Sequence, residues 1–291
     1  MNKKSKSLRV NDAPMYNYLQ AIYMSFYSRS LYVDVAKRWK GFGALYLLLV
    51  ISIASIPLSA RIMYDFNQYF DQQMILPLTE LPPLYVQNGG VVFDKPMPYV
   101  VKNKTGAVVA IVDTTGKVKN IDQTYPELTV LITKDKLYFR PPKFHLFSNT
   151  PVPLKQQDTF VQPLDKASNE VFDAKAWVAS SGIMNLKLMT EILVYPLIVM
   201  FLFGLYVVFM LGLAFIGQLF AQIIFKFKVP YKMAARVFSV ASTVQIAVFF
   251  IVLTAGIVVP GAGLLYMVLL AVYFNYGILC VKRESTKLVR E

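Results

Sequence analysis

Long uncharged stretches alternate along this chain with short polar or basic connectors. No charged side chain occurs from Gly41 to Ala60, between Glu191 and Lys226, or between Arg236 and Lys282. Runs of about 18 or more apolar residues read as membrane spans, whereas 10–14 read as core helices. The pattern predicts crossings at 41–61, 192–225, 237–259 and 261–281. Pro57 is expected to kink or end the first. As a single helix, residues 192–225 would extend about 51 Å, against a hydrocarbon core about 30 Å thick. That span is expected to project, to tilt, or to break near Gly212 or Gly217. Pro260-Gly261-Ala262-Gly263 forms the turn of a hairpin joining the last two.

Between the first two spans the period changes from helical to alternating. Val91–Phe93, Tyr99–Val101, Val108–Val112, Leu128–Thr133 and Leu137–Phe139 are short runs rich in β-branched and aromatic residues. Turn residues bound them, among them Asn103-Lys104-Thr105-Gly106 and Thr114-Thr115-Gly116-Lys117, and Lys134-Asp135 suits a tight hairpin. Residues 62–190 therefore read as a small antiparallel β-domain, with irregular proline-bearing chain at 141–158 and a helix within 166–187. Before the first span, Asp12 and Pro14 suit a helix start. Met15, Leu19, Ile22 and Phe26 follow at helical spacing, with Tyr23 and Tyr27 beside them. This amphipathic helix fits either the membrane interface or a seat on the ends of the spans.

Charge orients the plan. Of the 291 residues 56% are hydrophobic and 16% charged, and mean hydropathy is +0.47. The net charge of +13 is uneven. Residues 62–190 are nearly balanced, whereas 1–40, the loop 226–236 and the tail 282–291 are strongly basic. Basic flanks stay on the cytoplasmic side. An even number of crossings puts all three there, with both termini, and leaves 62–190 outside. The expected architecture is a membrane α-helical bundle of about four transmembrane helices with an inserted small antiparallel β-rich extracytoplasmic domain. Positive charge split among three span flanks argues against nucleic-acid binding, which gathers charge on one face. The lipid bilayer is the expected partner of those flanks.

The chemistry that can be named is sparse. A single cysteine, Cys280, cannot form an internal disulfide. A single histidine, His145, excludes multi-histidine metal sites, and no cofactor is expected. The intramembrane polar candidates are Gln218, Gln222, Gln245 and Asn275. Gln218 and Gln222 lie one turn apart on a shared helix face. Amides there serve helix-to-helix hydrogen bonding or a polar groove for a headgroup or solute. None of the four is ionisable, unlike the side chains of proton relays and charged substrate pathways. Glu191 and Arg61, at the outer ends of two spans, could pair. No nucleophile elbow or phosphate loop is present, and no catalytic residue is assigned.

The stretch Ser25-Phe26-Tyr27-Ser28, then Leu31–Gly43 running into Tyr46–Leu49, resembles the opening segment of the bacterial membrane family called domain of unknown function 1189. Phe93–Tyr99, Ala110–Thr114 and Ile132–Leu137 resemble the same family. The resemblance implies a bacterial cytoplasmic (inner) membrane and a distant similarity to the Yip/Yif membrane proteins. It implies no catalytic residue. The expected role is a non-enzymatic scaffold or accessory subunit of an envelope or transport complex, contacting a membrane or envelope protein. The alternative is a small-solute or lipid transporter or scramblase.

Overall fold

The computed structural model describes residues 13–122, 124–141, 159–165 and 169–288. Residues 1–11, His145 and most of the proline-bearing stretch lie outside them. The chain divides into two units, one of Met1–Ala60 with Tyr195–Glu291 and one of Arg61–Val194.

The first unit is helical. Helix α1 (Tyr18–Met24) starts later than expected, because Asn17 rather than Asp12 caps it. Asn17 Oδ1 accepts from Gln20 N at 2.7 Å, and Gln20 Oε1 returns the bond to Asn17 N at 3.1 Å. The expected single stripe is two helices, for Ser28 caps α2 (Arg29–Arg38). Lys37 and Arg38 fall in the last turn of α2, where cations complement the helix dipole. Helix α3 (Ala44–Phe70) passes through Pro57 without ending there. It bends by 42° between Ala44–Ala54 and Ile56–Thr79, as a proline lacking its N–H dictates.

Helix α6 (Ile183–Ile224) runs 42 residues, through Pro196, Gly212 and Gly217 alike. The expected break is absent, and Gly217 has another use. A Cβ there would meet the Phe274 ring at 2.6 Å, so glycine lets α6 approach α8. Helix α7 (Tyr231–Ala255) ends at Gly256 in the left-handed conformation, φ 68°. Helix α8 (Ala262–Leu288) completes the hairpin. Among the described residues three helices, α6 to α8, are long and apolar enough to cross a membrane, or four if the bent α3 counts as one span.

The second unit carries two sheets. After a π-helical turn at Asp71–Ile75 and α4 (Leu76–Thr79) come β1 (Leu84–Gln87), β2 (Gly90–Val92), β3 (Tyr99–Lys102) and β4 (Val108–Asp113). Then follow β5 (Val130–Thr133), β6 (Lys136–Phe139), β7 (Phe160–Pro163), β8 (Glu170–Phe172) and α5 (Ala174–Ser180). The strand orders are β2-β1-β8 and β3-β4-β5-β6-β7. Asn88 and Gly89, at φ 51° and 74°, form the two-residue turn between β1 and β2.

The antiparallel expectation fails at one pair: β4 and β5 are parallel. Residues 114–129 between them are long enough for the crossover that a parallel pair needs, about a dozen residues or more. Both faces of this pair are covered, giving the continuous apolar runs of a doubly buried strand. Val101, Val109, Ala110, Val112, Val130 and Ile132 pack into one cluster with Leu81 and Leu84. Ile111, Leu131, Ile121 and Leu128 fill the other, two of them supplied by the crossover itself.

Buried Asp113 holds that crossover in place. Its Oδ1 accepts from Thr115 N at 2.8 Å and Thr115 Oγ1 at 2.5 Å, and Oδ2 accepts from Val118 N at 2.6 Å. Burial alone would push its pKa up, but these hydrogen bonds prevail and hold it below the usual carboxylate value. A depressed folded-state pKa contributes stability above the unfolded value of about 3.9, lost as pH falls through the folded one. Asp113→Asn is therefore expected to destabilise this unit by about 1–3 kcal/mol at neutral pH. The gap from the parent should narrow as pH falls below the ordinary carboxylate value and through the lower folded one. Trp177 fluorescence in a Trp39→Phe background reports it; a gap constant with pH would contradict the assignment.

Candidate functional site

Residues 13–43 build one wall of the helical unit. Leu31, Tyr32, Val35 and Ala36 of α2 are buried against α7 and α8. Gly277 makes that seat possible, since a Cβ would lie 2.7 Å from both Tyr32 Cδ1 and Val237 Cγ1. The Tyr32 hydroxyl donates to Ser25 O at 2.8 Å, and burial raises its pKa far above the ordinary phenol value. Asp34, 3% exposed, ties the chain ahead of α1 to α2. Its carboxylate accepts from Met15 N at 3.0 and 3.1 Å, from Tyr16 N at 3.4 Å and from Arg38 Nη1 at 3.1 Å.

Of the two expected seats, α2 takes the one packed on the helices, while α1 turns its stripe outward. Met15, Leu19, Tyr23, Phe26 and Tyr27 are all exposed. Tyr18 on the inner side of α1 meets the Trp39 and Tyr46 rings at 4.9 and 5.8 Å. Tyr46 shares a 2.7 Å hydrogen bond with Thr243 Oγ1, joining α3 to α7.

Basic residues gather at one end of this unit. Arg236 donates through Nη1 to Trp39 O, Lys282 Nζ donates to Phe225 O at 2.8 Å, and Lys232 sits 5.8 Å over the Phe42 ring. These contacts join the chain before α3 to both loop ends and the end of α8.

Away from that end, α3 and α7 enclose a cavity of about 510 Å³. Val50, Ile53, Ala54 and Pro57 form one side, and Ala247, Phe250, Ile251 and Ala255 the other. Ile22 of α1 and Phe26 just after it complete the lining, in which Thr243 and Thr254 supply the only hydroxyls. Pro57, where α3 bends by 42°, is part of the same lining.

The four amides expected from sequence do not converge there. Gln245 Nε2 donates to the Tyr206 hydroxyl at 2.9 Å, a link between α7 and α6. Asn275 Nδ2 donates to Ala271 O one turn back on its own helix, at 2.8 Å. Gln218 is half-buried and Gln222 exposed. Gln218 lies about 18 Å along α6 from Tyr206 at 1.5 Å per residue. Replacing Gln245 with Leu should therefore cost only about 0.6 kcal/mol, the mean for such intramembrane bonds. A double-mutant cycle with Tyr206→Phe measures it. Arg61 lies 3.8 Å from Asp65, one turn on in α3. In the second unit, Lys187 Nζ meets Asp71 Oδ1 at 2.8 Å.

The cavity had no sequence signal, because its lining is ordinary apolar residues of the long helices brought together only by packing. Trp39 was equally silent: its buried Nε1 has no hydrogen-bond partner among the described residues.

Residues 19–278 match the family described as "Protein of unknown function (DUF1189)". The chain belongs to that family. The match runs from within α1 to within α8 and takes in the β-unit, consistent with the resemblance in the opening segment and the strands. No curated protein and no solved structure matches the chain. For this DUF1189 chain, functional reasoning thus rests on its own residues.

Proposed function

We propose that the protein is a non-enzymatic scaffold or accessory subunit of the bacterial cytoplasmic membrane, whose β-unit docks an envelope or membrane protein outside the cell. In this reading α3, α6, α7 and α8 cross the bilayer and both termini are cytoplasmic. The clustering of Lys232, Arg236 and Lys282 at one end of the helical unit supports it, since such flanks stay on the cytoplasmic side.

One observation carries the docking role. Tyr85 pairs laterally with Val92 on β2 and with Val171 on β8. The three are 43%, 45% and 58% exposed, a continuous apolar row across the three-stranded sheet. Cross-strand neighbours of this kind form one surface, and contiguous exposed apolar patches mark interaction sites. A photoreactive residue at Tyr85, activated in intact cells, should capture a protein in a reproducible adduct that Val171→Glu abolishes. Capture of lipid alone, or of nothing, would contradict the reading.

The cavity beside α3 favours the lipid form of the alternative, transport or scrambling. Lipid scrambling or solute flux in reconstituted vesicles, lost on changing Gln218 and Gln222 to Leu, would replace the scaffold reading. Flux that survives those changes would remove the amides from the path.

A further inference from the structure

We infer that the cavity between α3 and α7 is a binding site for one hydrocarbon chain of a membrane lipid, entered sideways from the bilayer. Depth is the first argument. Arg236 is the last cation on α7 before its uncharged run. At 1.5 Å per residue, Thr243 lies about 10 Å beyond it and Ala255 about 28 Å. The lining thus occupies the far part of a span matched to a hydrocarbon core of about 30 Å.

The second argument is the lining itself. No titratable side chain is among the twelve residues around the space. Thr243 Oγ1 is already engaged by the Tyr46 hydroxyl. Beyond Thr243 the only other lining hydroxyl is Thr254, too little to replace the water of a dissolved ion or a sugar, and burying an unpaired polar group costs several kcal/mol. A methylene chain loses nothing. Phe26, Ile53 and Ile251, at 43%, 42% and 68% exposure, border the space, so the opening is as apolar as the interior.

Size decides between a lipid chain and a protein helix. A helix with side chains is about 10–12 Å across, so 510 Å³ would hold little more than one turn. Pockets of about 300–1,000 Å³ suit small ligands. Pro57, where α3 bends by 42°, is itself part of the lining. Ile22 of α1 and Phe26 just after it add two more apolar side chains to the wall. Asp34 pins α1 there through the Met15 and Tyr16 amides.

The test uses the full chain in phosphatidylcholine vesicles that contain a phospholipid with a diazirine on one acyl chain. After illumination, adducts are mapped by mass spectrometry. The expected result is enrichment on Val50–Pro57 and Ala247–Ala255 over the exposed faces of α6 and α8, such as Val208 and Leu264. Ala54→Trp, which fills the space, should remove the enrichment. Val272→Trp, on an exposed α8 face, should leave it intact. Should Ala54→Trp fail to fold, Ala247→Ile narrows the same space and is expected to reduce the enrichment. Even labelling of all exposed apolar faces would overturn the proposal. So would labelling indifferent to both filling variants, or chain-to-chain cross-links at the groove in place of lipid adducts.

Discussion

Gly43→Ala is expected to destabilise the helical unit by about 3 kcal/mol. Two independent penalties combine. Gly43 has φ +85°, and forcing an L residue into left-handed backbone costs about 1–2 kcal/mol. The new Cβ would also lie closer to Ser239 Oγ than any real contact allows, with Arg236 Cα at 3.5 Å behind it. Ser239 cannot simply rotate away, for its hydroxyl donates to Arg236 O at 2.8 Å. Crowding a packed site costs a further 1–3 kcal/mol, roughly. Thermal unfolding in detergent, followed through Trp39, should show a midpoint lower by several degrees. An unchanged midpoint would mean that α3 does not enter the bundle against α7.

Asp34→Ala ranks second, at about 3 kcal/mol. The carboxylate is the shared acceptor for two backbone amides and a guanidinium. Removing it strands three donors at a site from which water is nearly excluded, and losing one partner of a buried charged set costs about 3–5 kcal/mol. Arg38 is 28% exposed and recovers part of this from solvent. The damage should be local, with Met15 and Tyr16 amides exchanging faster and a protease site opening between α1 and α2. Asp34→Asn keeps one acceptor oxygen and should lie between the two. Equal protection in parent and Ala variant would dismiss the clamp.

What the chain order made legible was the solvent preference of each segment. Stretches without ionised groups are helices α3, α6, α7 and α8, and the alternating runs are strands. Ends were harder. Helix α3 continues past Arg61 because Ile62, Met63 and Phe66 still favour helix once lipid-like hydropathy has ended. Strands β7 and β8 escaped notice because they are edges, exposed or half-buried along their length and so free of the burial that creates alternation. Asn88-Gly89 carried a strong hairpin signal, yet the neighbouring glycine pair drew attention to the strand after it rather than the one before.

Pair relations were the least legible. The parallel β4–β5 register depends on Ile121 and Leu128 folding back over one face, a tertiary event invisible in either strand alone. Among the polar candidates, Gln245 takes the helix-to-helix role expected of amides in apolar helices, whereas Asn275 bonds within its own helix. A proline such as Pro57 announces that a bend is possible without giving its direction. The groove beside it depends on which residues of α7 pack opposite, which no single segment states.

The claim on which all of this rests is that α3 carries the chain across the bilayer, with residues 62–190 outside and the basic segment before it inside. In a Cys280→Ser background, single cysteines at Lys40 and at Lys119 are both exposed and lie outside every span. A membrane-impermeant maleimide applied to intact cells should label the Lys119→Cys variant at once. It should reach the Lys40→Cys variant only after the membrane is opened. Labelling of both from the same side would contradict the account.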